Sequence, residues 1–421
     1  KQIGTITVAN TWTAADTATC TMNNKALTIT IGVDTATTQV ATAIRDAWNA
    51  TSRLDSEGAT DATSNFGGQE FGEFAEITAS IDPDSLSVVV LTANKAGVPF
   101  TVTVTESTFS TGTATGATSQ AATGPWHWDN IRNWLKSDGT TAAVPASDDI
   151  VVFKESSVDC KYGLPNGSLE VQALVYQSFT GIIGLPEINK ENASKPYFEY
   201  RQRYVKLDEA GTGTSMTHVF GIGEGTGSSL INFWHVTSAL TVSANVYNTG
   251  TPQIPGTKAL NIVIDNGVGA GGTLNILKGS VYAGAQFNTT PSYATLTIGY
   301  TNSQPSDADV YIRNHNASVT ITQSGGNLLF VEDVILGGSA NRTYASYGGK
   351  AIFRDIQTSG TISVTLNSSE FQWNATKTIA TVIIGTNATF ACEKDLRAFT
   401  MTTCDMYQGA KLLDENARVT Y

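Results

Sequence analysis

The segments ALNIVIDNG (259–267), GTLNILKGS (272–280), ATLTIGYTN (294–302) and GTISVTLNS (360–368) decide the fold. In each, Leu, Ile and Val alternate with Asn, Thr or Ser, the period-2 pattern of a strand with one buried face, and each stops at Gly, Asn or Ser. A strand of this length cannot hide its apolar face alone. Stacked as rungs of a coil, such strands bury a continuous Val/Ile/Leu column, which predicts a right-handed β-solenoid. A β-sandwich or jelly roll predicts similar short strands and stays open as the alternative.

Working back from there, further β segments are expected at 150–153, 173–176, 240–246, 310–313, 318–322, 327–331, 351–354 and 381–384, with no helix signal among them. Residues 107–124, STFSTGTATGATSQAATG, carry almost only small and hydroxylated side chains and read as an extended linker. The expected organisation is a module over 1–106, this linker, and a solenoid over 125–421. In the module, strands are expected at 3–8, 26–31, 74–79, 86–91 and 100–105, with Asn23-Asn24 closing a hairpin between the first two. Residues 35–50 change period: Val40, Ile44 and Trp48 stand four apart, with Ala43 and Ala47 on the same stripe. One helix on a small sheet makes the module α+β in a mostly β chain.

Composition agrees. The 421 residues exceed a typical ~150-residue domain, so more than one unit is expected. Lys and Arg number 25 against 37 Asp and Glu, net −12, and without a basic cluster nucleic acid is not an expected partner. No apolar run approaches the ~20 residues of a membrane span, so a soluble chain without membrane insertion is expected. The numbering starts at Lys1 rather than Met and leaves room for a leader. Cys20, Cys160, Cys392 and Cys404 show no CxxC spacing, and neither a zinc site nor a dense disulfide framework is indicated.

The stretch TGPWHWDNIRNWLKSDGTTAAVPASDDIVVF (123–153) holds a W…NW…P…DD-x-V-x-F pattern in Trp126 or Trp128, Asn133, Trp134, Pro145, Asp148, Asp149, Val151 and Phe153. It resembles the opening of β-helical surface proteins, including autotransporter-type passenger domains. Residues 11–50 are similar to small modules of tailed-phage virion proteins. With YGLPNGSLEVQALVYQSFTGIIGLP (162–186), the combination resembles uncharacterised planctomycete and prophage-type virion or surface proteins. That resemblance implies a fibre, spike or capsid-decoration role, with a homo-trimer as the usual assembly.

The motif has a physical reading of its own. Trp126, Trp128, Trp134 and Pro145 are expected to close the open end of the solenoid. Asp148 and Asp149 suit a turn whose carboxylates accept backbone N–H bonds; a calcium site is the weaker alternative, two Asp supplying too few of the six or more oxygens needed. Catalytic residues are not assigned. Asp307 with Asp309 and Glu332 with Asp333 are the candidate carboxylate pairs for a glycoside-cleaving solenoid, and both read as solvated rims. His127, His218, His235 and His315 share no metal-ligand spacing, and His235 is expected to pack in a strand. GIGEGTG (221–227) precedes no helix pattern and reads as turns rather than a phosphate loop. The nine N-x-S/T sequons carry weight only in a eukaryotic source. Tyr344, Tyr347 and Trp373 are candidates to present rings to surface glycans.

Phe390, Leu396, Phe399, Met401, Met406, Leu412 and Leu413 leave the C-terminal end apolar, so it should meet another chain or fold back as a cap. The functional expectation is a non-enzymatic structural or adhesive protein of the virion surface or the extracellular space, without a cofactor. Its expected partners are copies of itself, other virion or surface proteins and possible surface glycans. A bacterial cell-surface or filament-forming adhesin is the alternative, and a polysaccharide lyase or hydrolase the third reading.

Overall fold

A computed structural model of the chain describes residues 1–55, 61–107, 109, 111–167, 169–190, 194–209, 216–237, 242–251, 258–265, 273–283, 295–298, 307–313, 320–332, 335–336, 342–354, 357–358, 362–376, 378–392 and 397–420. The chain forms two compact units. One comprises 1–144, 160–163 and 185–203; the other comprises 145–159, 164–184 and 204–421. The expected boundary at 107–124 is corrected by this division.

In the first unit, Ile3–Ala9 is paired antiparallel with both Val88–Ala93 and Thr113–Gln120. The expected linker is therefore largely a sheet strand. Its small residues serve close packing: a side chain at Gly112 would collide with the Trp12 ring, its Cβ falling 2.6 Å from a ring carbon. A Cβ at Gly116 would come within 2.8 Å of the Val102 carbonyl oxygen. Asn23 and Asn24 do turn the chain, both with positive φ, but the hairpin joins Thr17–Met22 to Lys25–Thr30 rather than to the first strand. The segment TATCTM carries little hydrophobic signal, although Ala18, Cys20 and Met22 point into the core.

The helix Thr37–Asn49 buries Val40, Ala41, Ala43, Ile44, Ala47 and Trp48, the stripe expected from the four-residue spacing. Its N-cap is Ala36, and Gln39 Oε1 accepts the Ala36 N–H at 3.1 Å in place of a threonine cap. A second short helix, Gly72–Ala75, precedes the strand Ile77–Ile81. Trp48 and Phe74 meet edge to face, with ring centroids 4.8 Å apart.

The second unit is a β-solenoid of about eight turns from residue 150 onward. Strands alternate between a twelve-stranded and a ten-stranded sheet, and every pairing within these two sheets is parallel. Residues of equal rank stack directly. One inner column of the ten-stranded sheet runs Leu260, Val281, Val310, Leu328, Ala351, Phe371, Phe390 and Leu412. Burying each Leu, Val or Phe of such a column contributes ~1.5–3 kcal/mol. The glycines of GIGEGTG have positive φ at 221, 223, 225 and 227 and turn the chain between Met216–Ile222 and Ile231–Thr237, as expected. Close approach of successive coils demands them: a Cβ at Gly221 would lie 1.8 Å from the Asn248 carbonyl oxygen.

The C-terminal end continues the coil as a short, parallel last rung. Val419–Thr420 pairs with Phe399 and Thr400. Phe390, Phe399 and Met401 are buried, Leu412 is half-buried, and Met406 and Leu413 remain exposed. Leu396 lies outside the described residues.

Candidate functional site

The Trp126–Trp134 motif belongs to the first unit, whereas Pro145 opens the second. Trp126 packs with Val98, Tyr162 and Leu185, its ring approached by the ammonium groups of Lys95 and Lys161 at 5.6 and 5.9 Å. Trp134 Nε1 donates to the Trp128 carbonyl at 2.6 Å, and the two rings lie 4.8 Å apart. Asn133 Nδ2 donates to the His127 carbonyl at 2.6 Å, and His127 Nε2 lies 2.8 Å from the Gly97 carbonyl oxygen. The motif ties its own loop to the first unit. Asp149 Oδ2 accepts the Ala146 N–H at 2.8 Å, the turn contact expected of this pair, and both Asp148 and Asp149 are exposed. Among the described residues no three His, Cys, Asp or Glu side chains gather in a group able to hold a metal.

Two glycan candidates are corrected. Tyr344 and Trp373 are buried, at 1% and 0% exposure, because strand parity turns them inward. Tyr344 continues the column of Leu274 and Ile321, and Trp373 stacks in register with Phe353. The Tyr344 hydroxyl donates to Gln323 Oε1 at 2.7 Å, while Gln323 Nε2 donates to the Gly325, Gly326 and Lys350 carbonyls. Tyr347, at 56% exposure, stays on the surface. Asp307 and Asp309 lie in register with Lys278 and Ser280. Glu332 ends the strand Asn327–Glu332; Asp333 and His315 lie outside the described residues.

Three polar clusters escaped sequence reading because their members are far apart in the chain. In the first unit, Arg201 binds Glu199 through Nε at 2.8 Å and Nη2 at 2.7 Å, and its Nη1 reaches Glu76 Oε2 at 3.2 Å. The Tyr197 hydroxyl donates to Glu76 Oε1 at 2.6 Å, and Asn189 Nδ2 donates to Glu199 at 3.1 Å. Burial alone would push the Glu199 carboxyl up; the guanidinium and its hydrogen bonds hold it below the usual range. Nearby Glu73, buried without such a partner, is pushed up. At the end of the solenoid, Arg418 is enclosed among main-chain carbonyls.

The third cluster is the pair His218 and His235, inside the solenoid with 0% exposure. His235 packs in a strand, as expected. Ala173 N–H donates to His218 Nδ1 at 3.1 Å, so the His218 proton sits on Nε2 and points to His235 Nδ1, also 3.1 Å away. That leaves the His235 proton on Nε2, a buried group without a hydrogen-bond partner among the described residues. Burial lowers both groups, His218 well below the ordinary histidine value and His235 to about 4. The unfolded chain therefore takes up protons near pH 6.5 that the folded chain refuses, so stability falls as pH drops from 6.5 toward 4. His235 alone accounts for about 3 kcal/mol of this loss. Urea midpoints should fall across that window and flatten in a His218→Phe/His235→Leu variant; an unchanged slope in the variant would assign the acid sensitivity to other groups.

Along the twelve-stranded sheet, nine positions in register hold Thr or Ser, and those whose side chains are described lie on the outer side. Thr217, Ser243, Thr273 and Thr295 are followed in register by Thr320, Thr343, Ser363, Thr381 and Thr403. Two residues further along each strand, the neighbouring row reads Val219, Asn245, Asn275, Thr297, Thr322, Ala345, Thr365, Ile383 and Asp405. Asn275 Nδ2 donates to Asn245 Oδ1 at 2.8 Å, bridging successive turns. Asp405 is the sole charge in both rows. Such an array can offer hydrogen-bond donors and acceptors at the fixed spacing of the rungs, about 4.8 Å. The chain matches no protein-family model, no curated protein and no solved structure.

Proposed function

We propose that the chain is a non-enzymatic structural and adhesive surface protein, a phage virion component of the fibre, spike or capsid-decoration type. The observation that carries the reading is the row of Thr and Ser kept in register over nine rungs of one sheet, with a neighbouring row nearly free of charge. A face of this kind repeats one contact many times, which suits attachment to an extended surface through many weak interactions. The strongly perturbed groups support a structural role as well: Arg201, Glu199 and Tyr197 bond to one another, and His218 accepts a main-chain N–H.

The partners of this reading are copies of the chain itself, arranged as a trimer, and other virion or surface proteins; its place is the virion surface or the extracellular space. The C-terminal rung already pairs with Phe399 and Thr400, so the trimer rests on the fibre-type resemblance. Light scattering should give three times 44.5 kDa; a monodisperse monomer would exclude the trimer. Fluorescently labelled full chain should adhere to intact bacterial cells, and antibody against it should label virion particles. Labelling of cell envelopes without virions would select the bacterial adhesin. New reducing ends or unsaturated products from a polysaccharide panel would select the lyase or hydrolase and overturn the non-enzymatic reading.

A further inference from the structure

We propose that the outer face of the last four turns binds a neutral polysaccharide, stacked on Tyr347 and Tyr407 and hydrogen-bonded along Thr343, Ser363, Thr381 and Thr403. The proposal names the ligand of the surface-binding reading and rests on it. Thr343 with Ala345, and Thr403 with Asp405, share the outer face of their strands, and Tyr347 and Tyr407 are the first residues past the ends of those strands. Both tyrosines are among the exposed large side chains, at 56% and 60%.

They occupy the same corner of the coil. Tyr347 N–H donates to the Gln323 carbonyl and Tyr407 N–H to the Ile384 carbonyl, and between them Asn367 and Gly385 make the equivalent bonds to Ser346 and Leu366. Three rung spacings separate the two backbone positions, about 14 Å. The interval is low. Asn367 is half-buried, and Gly385 has no side chain to raise the floor. A Cβ there would lie 2.2 Å from Asn367 Oδ1 and 2.5 Å from the Leu366 carbonyl oxygen, so tight packing keeps the position a glycine.

Two aromatic faces flanking a dip, with a row of hydroxyls four residues back along the strands, about 13 Å away, supply the two contacts an extended sugar chain uses. The apolar face of a pyranose stacks on a ring, and its hydroxyls exchange hydrogen bonds with groups that both donate and accept. Charge selects the class. The eight positions formed by the hydroxyl row and its neighbour in these turns hold Asp405 as their sole charge, in a chain of net charge −12. With no Lys or Arg in those rows to pair with carboxylates or sulfates, an acidic polymer would be repelled.

Affinity electrophoresis of the full chain tests this, in gels that each contain dextran, laminarin, galactomannan, xylan or polygalacturonate. Retardation is expected in at least one neutral gel, weakened about tenfold by Tyr347→Ala/Tyr407→Ala and also reduced by Ser363→Val/Thr381→Val, with circular dichroism unchanged. Leu86→Ala, an exposed change in the first unit, should leave it intact. Retardation in no neutral gel, in polygalacturonate alone, or with equal strength in the tyrosine variant overturns the proposal. Cell adhesion by the labelled chain, measured in parallel, separates the two readings. Adhesion that survives the tyrosine variant without gel retardation removes this site and keeps the surface-binding function. Tyrosine-dependent retardation without adhesion keeps the site and removes that function.

Discussion

Replacing Arg201 by Met should lower the stability of the first unit by about 3–5 kcal/mol, the cost of leaving a buried charge without its partner. The Arg201 side chain is 7% exposed and the Glu199 side chain 0%, so water cannot take the place of the guanidinium. Two hydrogen bonds to Glu199, at 2.8 and 2.7 Å, and the 3.2 Å contact with Glu76 would go together. Burial would then be opposed only by the Asn189 amide and the backbone N–H of residue 201, and would push the Glu199 carboxyl up, so the variant should lose further stability as pH rises through the new value. An Arg201→Met/Glu199→Gln double variant removes the stranded charge and should recover part of the loss. Urea unfolding followed through Trp12 and Trp48 measures it. A single variant within 1 kcal/mol of wild type would mean that this network is not load sharing in the first unit.

None of these three residues stood out in the sequence, for a reason visible in the chain path. Glu76 lies in the first module, while Glu199 and Arg201 come from 185–203, a segment that leaves the solenoid and rejoins the first unit. Local periodicity carries no information about such a return. The solenoid itself was legible because its signal is local: each segment such as GTISVTLNS repeats a strand pattern and a stop, and stacking follows from the need to cover apolar faces. Strand parity was legible in principle as well. Tyr344 alternates with Thr343 and Ala345 and belongs to the inward set with Ser346, both buried, a parity that the aromatic character of the ring concealed. The 107–124 segment failed for the opposite reason: small residues look alike whether they are mobile or pressed against Trp12 and Val102. For the outer face, the hydroxyls were visible one at a time, but their alignment over nine rungs needed the register.

Replacing Arg418 by Met should release the C-terminal segment and cost about 3–5 kcal/mol. The Arg418 side chain, 1% exposed, donates to the carbonyls of Trp373, Cys392 and Arg397 at 2.9, 2.6 and 2.5 Å and to Ala375 at 3.2 Å. Trp373, Ala375, Cys392 and Arg397 lie just beyond the paired stretch of the last turns, where the ladder stops at Gln372 with Ala391 and at Ala391 with Leu413. Leaving a buried acceptor unpaired costs ~1–3 kcal/mol, and entry of water at the open end offsets part of the sum over four. The turn is prepared for the guanidinium: Asp414 accepts the N–H groups of Arg418 and Val419 at 2.7 and 3.0 Å, and the Phe399 ring lies 5.2 Å from the guanidinium carbon. Methionine fills much of the same volume but donates nothing, so the loss reports the hydrogen bonds rather than a cavity. Amide exchange in 397–420 should accelerate at least tenfold in the variant while the strands Ile231–Thr237 and Met216–Ile222 keep their protection. Unchanged exchange at Phe399 and Met401 would show that strand pairing alone closes this end, and that Arg418 is a passenger in it.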